Sequence, residues 1–216
     1  MPSGKFYVDM GSDDCERTSA GDPDSYTCGT FFVQCGDYEG DDVATIWCFS
    51  NVTIDQGQNI DNMYFRFTSG ETISGDEVKL RITAMDEDAP WMPQDGVTHY
   101  VNDITKTTAY VDWTVPALTD TVKYLTPDIS SVIQEVINRP GWQSGNDMVL
   151  FLDNNGSDTN KQIRIASWDG YNFMATDEAP TLSGTWSTQP IPVTYAALNL
   201  SREVMLTPDH KIIMTQ

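Results

Sequence analysis

Residues 124–156, YLTPDISSVIQEVINRPGWQSGNDMVLFLDNNG, hold two different periodicities side by side. Ile129, Val132, Ile133, Val136 and Ile137 recur at i, i+3, i+4, i+7 and i+8, which makes one apolar stripe on a helix. Thr126 can cap that helix, Pro127 suits its first position, and Asp128 lies in the first turn, where the helix dipole favours an anion. The run Arg139-Pro140-Gly141 stops it, because a residue before proline avoids helical angles. The expected helix is 127–138. At about three turns it is too short to be stable alone, so it must lay its stripe over a sheet as a lid. It carries no catalytic group. The next segment, DMVLFLDNN (147–155), is apolar on both faces and reads as a central strand covered on both sides.

Working outward, alternation with period two dominates. NMYFRFT (62–68) aligns Met63, Phe65 and Phe67; EVKLRITAM (77–85) aligns Val78, Leu80 and Ile82; TAYVDWTVP (108–116) aligns Val111, Trp113 and Val115. KQIRIASWDG (161–170) alternates and ends on Asp169-Gly170, a turn pair. With FFVQC, ATIWCFSNVTI and APTLSGTW the count reaches about eight strands, separated by Gly, Asp, Asn and Pro. The expected fold class is all-β, a jelly-roll β-sandwich over residues 1–187 with the one short amphipathic helix covering its core. Residues 188–216 read as a C-terminal extension. Its short apolar runs either add to a neighbour's sheet edge in an assembly or complete the domain's own sheets.

The chain has 216 residues, 39% of them hydrophobic, which suffices for one large β domain. Its 32 acidic and 12 basic residues give a net charge of −20, which repels phosphate backbones and argues against nucleic acid as a partner. No apolar run approaches the roughly 20 residues of a membrane helix, and MPSGKFYVDMGSDD lacks the apolar core of a signal peptide. No membrane insertion is expected.

Cys15, Cys28, Cys35 and Cys48 all fall in the first quarter, without a CxxC pair, and His99 and His210 lie far away. That pattern disfavours zinc. Three disulfide pairings are open, as is a set of four reduced thiols. A hairpin over 31–50 with its tight turn at Asp41-Asp42 sets Cys35 opposite Cys48, which leaves Cys15 for Cys28.

Catalytic motifs such as GxSxG, HExxH, a P-loop or GxGxxG do not occur in the sequence, and two histidines offer little for acid–base work. A glycosidase-like carboxylate pair would have to come from the many acidic residues. Two acidic groups, 12–16 and 153–158, could ligate a hard cation; the second has its glycine fourth instead of sixth for an EF-hand loop and reads as a hairpin turn. Of six tryptophans, Trp47, Trp113 and Trp168 sit in strands as core residues. Trp91, between Pro90 and Pro93, sits on a loop. There it can stack on a sugar, anchor a protein interface with loop aromatics such as Tyr100 alongside, or fold its indole back onto the sandwich.

The segments 49–89, AYVDWTVP, 124–156, IRIASWDG and EAPTL together resemble a DNRLRE-type jelly-roll module, a kind found in bacterial surface and secreted proteins and in phage virion proteins. The resemblance spans residues 12–187, and its most specific part runs from Trp113 through Trp142 into the following strand. It implies a non-catalytic module for binding, adhesion or display. Related jelly rolls hold a structural Ca²⁺ between an N-terminal strand and a late loop, which implies Asp14, Glu16 and Asp169 as metal ligands here. The cysteines and the tail are not part of that pattern. The resulting expectation is a non-enzymatic structural or adhesive protein, a virion component such as a capsid decoration, tail or fibre protein. Its partners would be other virion or surface proteins or further copies of itself. The alternative is a carbohydrate-binding module with Trp91 and Tyr100 as its glycan platform. Virion or extracellular surface is the expected location.

Overall fold

The computed structural model describes residues 1–19, 25–88, 90–92, 104–173, 179–188, 204–206 and 212–214. Among the described residues, fourteen strands and two helices follow one another as β1 (Ser3–Tyr7), β2 (Asp14–Thr18), β3 (Ser25–Cys28), β4 (Phe32–Tyr38), β5 (Asp41–Val52), β6 (Asn59–Thr68), β7 (Lys79–Ala84), β8 (Val111–Thr114), β9 (Lys123–Leu125), α1 (Ser130–Ile137), β10 (Asn146–Asn154), β11 (Gln162–Ala166), α2 (Trp168–Phe173), β12 (Thr181–Ser187), β13 (Val204–Leu206) and β14 (Ile212–Met214). Two antiparallel sheets face one another. The small sheet has the order β1-β12-β6-β9; the large one runs β11-β4-β5-β10-β7-β8, with the β2–β3 hairpin attached to β5. From β5 to β12 the chain crosses repeatedly between the two sheets, the connectivity of an all-β jelly-roll sandwich.

Period-two alternation produces this arrangement directly. Met63, Phe65 and Phe67 on β6, and Leu80 and Ile82 on β7, are all buried in the inter-sheet core. Phe65 stands at its centre, with ring centroids 5.0 Å from Trp47, 6.0 Å from Phe49 and 5.8 Å from Phe67. The doubly apolar strand β10 lies between β5 and β7. Its Met148, Leu150 and Leu152 enter the inter-sheet core, while Val149 and Phe151 enter a second cluster.

The stripe Ile129, Val132, Ile133, Val136 and Ile137 is buried in full, as its spacing predicts, and α1 closes the core against β6 and β7. The helix starts three residues later than expected. Thr126 does not cap it; its hydroxyl accepts the Phe65 N–H at 3.1 Å, and the Asp128 carboxylate accepts the Met63 N–H at 3.0 Å. The chain here is still pairing with β6 beyond β9, so the first helical turn forms only once that ladder ends. Asp128 therefore lies before the first turn, which contains no acidic residue, not within it, although its carboxylate accepts the Ser130 N–H at 2.9 Å.

The β4–β5 turn corrects a second expectation. It lies at Glu39-Gly40, with φ of 56° and 92°, not at Asp41-Asp42, and Tyr38 stands opposite Asp41. Both central residues take the positive φ that a two-residue hairpin requires, and glycine meets that demand without strain. The segment after β11 differs as well: Asp169-Gly170 lies within the short helix α2 instead of a turn.

Candidate functional site

Asp14 opens β2 opposite Trp47 of β5, and the following residue, Cys15, stands directly across from Cys28, to which it is disulfide-bonded. The Asp14 side chain is fully buried. One carboxylate oxygen accepts the Trp168 N–H at 2.7 Å; the other is sealed from solvent and has no hydrogen-bond partner among the described residues. Burial, with the charges of Asp169 and Asp13 adding to it, pushes this carboxyl up to about 7 against the Trp168 amide, which lowers it. A buried, half-satisfied carboxylate is costly unless a proton or a cation compensates it.

Asp169, the first acidic residue of α2, comes to the same place. Its carboxylate lies so close over Gly11 that a β-carbon there would stand 2.2 Å from Oδ2; a β-carbon on Gly29, itself at φ +68°, would stand 3.9 Å from that oxygen and 3.8 Å from the Gly11 carbonyl. The two glycines thus leave room for a cradle of oxygen atoms. Two carboxylates and a main-chain carbonyl suit a hard cation, and the sealed Asp14 oxygen is the one such an ion would satisfy. Asp14 and Asp169 are thus two of the three expected metal ligands that approach one another. Glu16 does not join them. Its Oε2 accepts the Gln34 N–H at 2.9 Å on the adjoining strand. Among the described residues no three Asp, Glu, His or Cys side chains converge on one metal position.

The favoured Cys15–Cys28 bond is present, whereas Cys35 and Cys48 are both buried free thiols. The turn at Glu39-Gly40 removes the register that set them opposite each other. Gly36, with φ +132°, also breaks the alternation of β4 beside Cys35. Cys35 then points into the inter-sheet core, while Cys48 joins the second cluster on the other face of β5. Burial raises both thiols, Cys48 to about 12, which leaves them unreactive.

Trp91 takes the last of its three readings: its indole packs on the second cluster, which consists of Tyr26, Ile46, Cys48, Met85, Ile104, Val149 and Phe151 on the outer face of the large sheet. Tyr100 lies outside the described residues. Tyr26 of β3, Met85 and Ile104 complete this apolar face, and beside it Asp153 pairs with Lys106 at 2.7 Å and Arg17 at 3.7 Å. The Lys106 ammonium also sits 4.4 Å from the centroid of the Phe151 ring.

The outer face of the small sheet is of a different kind. Paired rows across it are Ser3, Thr185 and Asn62; Lys5, Ser183 and Tyr64; and Tyr7, Thr181, Arg66 and Leu125. No acidic side chain occurs in these rows, and Tyr7 and Leu125 are 42% and 48% exposed.

A polar cleft of about 260 Å³ is bordered by Glu71 and Glu77. Burial raises Glu71, while Lys161 and Ser74 hold Glu77 below the usual range. Glu71 Oε1 is sealed from solvent, and Glu77 is engaged by Lys161 at 3.0 Å and Ser74 at 2.9 Å, so the pair does not present an acid and a base to a substrate. No protein-family model matches the chain, and no curated protein matches it either.

Proposed function

We propose that the protein is a non-enzymatic structural or adhesive β-sandwich, a component of a virion or an extracellular surface, that assembles through its C-terminal segment. The observation that carries this reading is the pairing of β13 with β14. These strands form a two-stranded sheet of their own, and among the described residues neither joins either sheet of the sandwich. A two-stranded unit is marginal in water and gains stability when a neighbour's sheet or surface completes it. The Cys15–Cys28 disulfide supports an oxidising, exterior setting, and no helix among the described residues is long and apolar enough to cross a membrane.

In this reading a Ca²⁺ held by Asp14 and Asp169 supplies charge compensation and ties the N-terminal loop at Gly11 to α2. The chain's own residues do the rest: the Trp168 amide orients Asp14, and the disulfide fixes β2 against β3.

Removing residues 188–216 tests the assembly role. Expected are an unchanged thermal transition of the sandwich and loss of self-association or particle incorporation, followed by sedimentation velocity and co-purification. A truncated chain that still assembles like the full one refutes the role given to this segment.

A further inference from the structure

We propose that strand β1, at the open edge of the small sheet, receives the β13–β14 strand pair of a second copy, which extends the sheet by main-chain pairing. This rests on the reading of 188–216 as the assembly segment and names the surface that receives it. Among the described residues no strand lies beyond β1, whose one strand partner is β12. Its register shows which groups face the open side. The Val8 N–H donates to the Pro180 carbonyl and the Trp186 N–H to the Pro2 carbonyl, so the even-numbered residues of this stretch exchange main-chain bonds with β12. By antiparallel alternation the N–H and C=O groups of Ser3, Lys5 and Tyr7 turn outward along the edge. Phe6, buried and stacked on Trp186 at 6.0 Å, holds this edge in place.

The opposite edge of the same sheet is closed. There β9 pairs with β6 at Arg66, Phe67 and Thr68, and beyond them the approach to α1 takes over. Thr126 and Asp128 accept the Phe65 and Met63 N–H groups, while Gln134 accepts the Ile60 N–H at 2.8 Å and donates to the Gln58 carbonyl at 2.9 Å. An added strand would have to displace all of these bonds. At β1 it displaces none of them, and an exposed edge of this kind is a template for pairing with another chain.

Charge and chain length select the occupant. Residues 188–216 contain two acidic and two basic residues, Glu203 and Asp209 against Arg202 and Lys211, so the whole net charge of −20 falls on 1–187. Two sandwiches repel one another, whereas the neutral segment approaches a sandwich without that penalty. The paired rows beside β1 contain Lys5 and Arg66 and no carboxylate, which makes this the least repulsive approach. The strands β13 (VML) and β14 (IIM) are apolar at every position, and a two-stranded sheet cannot cover both of its faces. The 16 residues between Ser187 and Val204 can span about 50 Å, enough to reach the chain's own β1, yet among the described residues β13–β14 stays a separate sheet. A second copy is therefore the partner. The contact joins the tail of one copy to the edge of the next, which builds chains or rings.

The test uses full chains, with sedimentation velocity over a range of concentrations and amide chemical-shift mapping. The wild type should associate as concentration rises, with shifts on β1, β13 and β14. Lys5→Pro removes one outward N–H and leaves the bonds to β12, so it should weaken association by roughly tenfold or more without lowering the Tm. Lys5→Ala, which keeps that N–H, should leave association unchanged. Tyr7→Pro, whose N–H also turns outward, takes the place of Lys5→Pro if the latter melts below the wild type. Ile213→Pro should break the donor pair and weaken association as much. The Lys5→Pro and Ile213→Pro chains, each silent alone, should form a one-to-one complex when mixed, because one still donates and the other still receives. The proposal is overturned if the wild type stays monomeric, if Lys5→Pro and Tyr7→Pro associate like the wild type, or if mixing restores nothing. Loss of association on removal of 188–216 beside full association of both proline variants would refute the β1 edge and leave the assembly segment standing; association that survives the removal refutes the assembly segment itself.

Discussion

The two sheets turn different outer faces to the outside, and their sequences show why. On the large sheet, Ile46, Cys48, Val149 and Phe151 point outward, so that face is apolar and is buried with Tyr26, Met85, Ile104, Trp91 and Met92. On the small sheet the outward positions are Ser, Thr, Asn, Lys, Arg and Tyr with Leu125 on β9, a mostly polar set that can face water at little cost. One face is therefore a second core, and the other is polar. The lesson is that in a sandwich of this kind the number of apolar faces on a strand decides which side is structural and which can be functional.

The largest effect that sharpens this contrast comes from Phe151→Ala. It empties the covered face beneath Lys106 and should cost about 3–5 kcal/mol in urea unfolding, whereas Tyr64→Ala on the open face should change stability by no more than about 0.5 kcal/mol. Equal losses at the two sites would end the distinction.

Next in size is the Asp14 carboxyl, at the start of β2. Its folded value, about 7, lies above the ordinary aspartate value. The folded state therefore holds this proton more tightly than the unfolded state does. That contribution is complete below about pH 4 and is lost as pH rises through about 7, a difference of about 4 kcal/mol at most. Asp13, Glu16 and Glu71 shift in the same direction through burial. In chelator, Asp14→Asn should raise stability at pH 8 and flatten its pH dependence, because the amide oxygen still accepts the Trp168 N–H. Added Ca²⁺ should raise the Tm of the wild type at pH 8 and leave that of Asp14→Asn nearly unmoved. An Asp14→Asn chain with the wild-type pH profile would contradict the compensation argument.

Smaller again is the staple on the β2–β3 hairpin. Replacing Cys15 and Cys28 by alanine should cost about 3 kcal/mol, the loop-closure value for a ring of this length. The same pair of substitutions at Cys35 and Cys48 breaks no bond. In the native protein, thiol titration at pH 8 should detect neither Cys35 nor Cys48; rapid reaction of Cys48 would mean that the apolar outer face opens easily, and of Cys35 that the inter-sheet core does.

Much of this was legible in the residues. The stripe on α1, the inward triplets of β6 and β7, and the doubly buried β10 follow from periodicity, since a side chain's face depends only on its place in the repeat. The strands β1, β2, β3 and β9 gave weak signals: SGKFY and DCERT are short and polar, and their pairing is set by partners remote in the chain. The late start of α1 was hidden for the same reason. Thr126 has the chemistry of a cap, but β6 offers its hydroxyl and main chain a better use. For the candidate sites, the sequence marked Asp14 and Asp169 but also Glu16, which faces Gln34 instead. It gave Trp91 three readings, and the structure takes the one in which that ring packs back on Phe151 and its neighbours.

Trp168, expected in a strand, opens α2 and is only partly buried, but by itself the sequence determined the fold class, the lid helix, the core places of Trp47 and Trp113 and the strongly acidic net charge. All of these depend on composition and local repeat. Only the tertiary structure decided which cysteines bond, which carboxylates meet and which aromatic ring faces solvent. Those facts rest on strand register and on which sheet face is covered, and a single turn moved by two residues changes them without changing the pattern that specifies the strands.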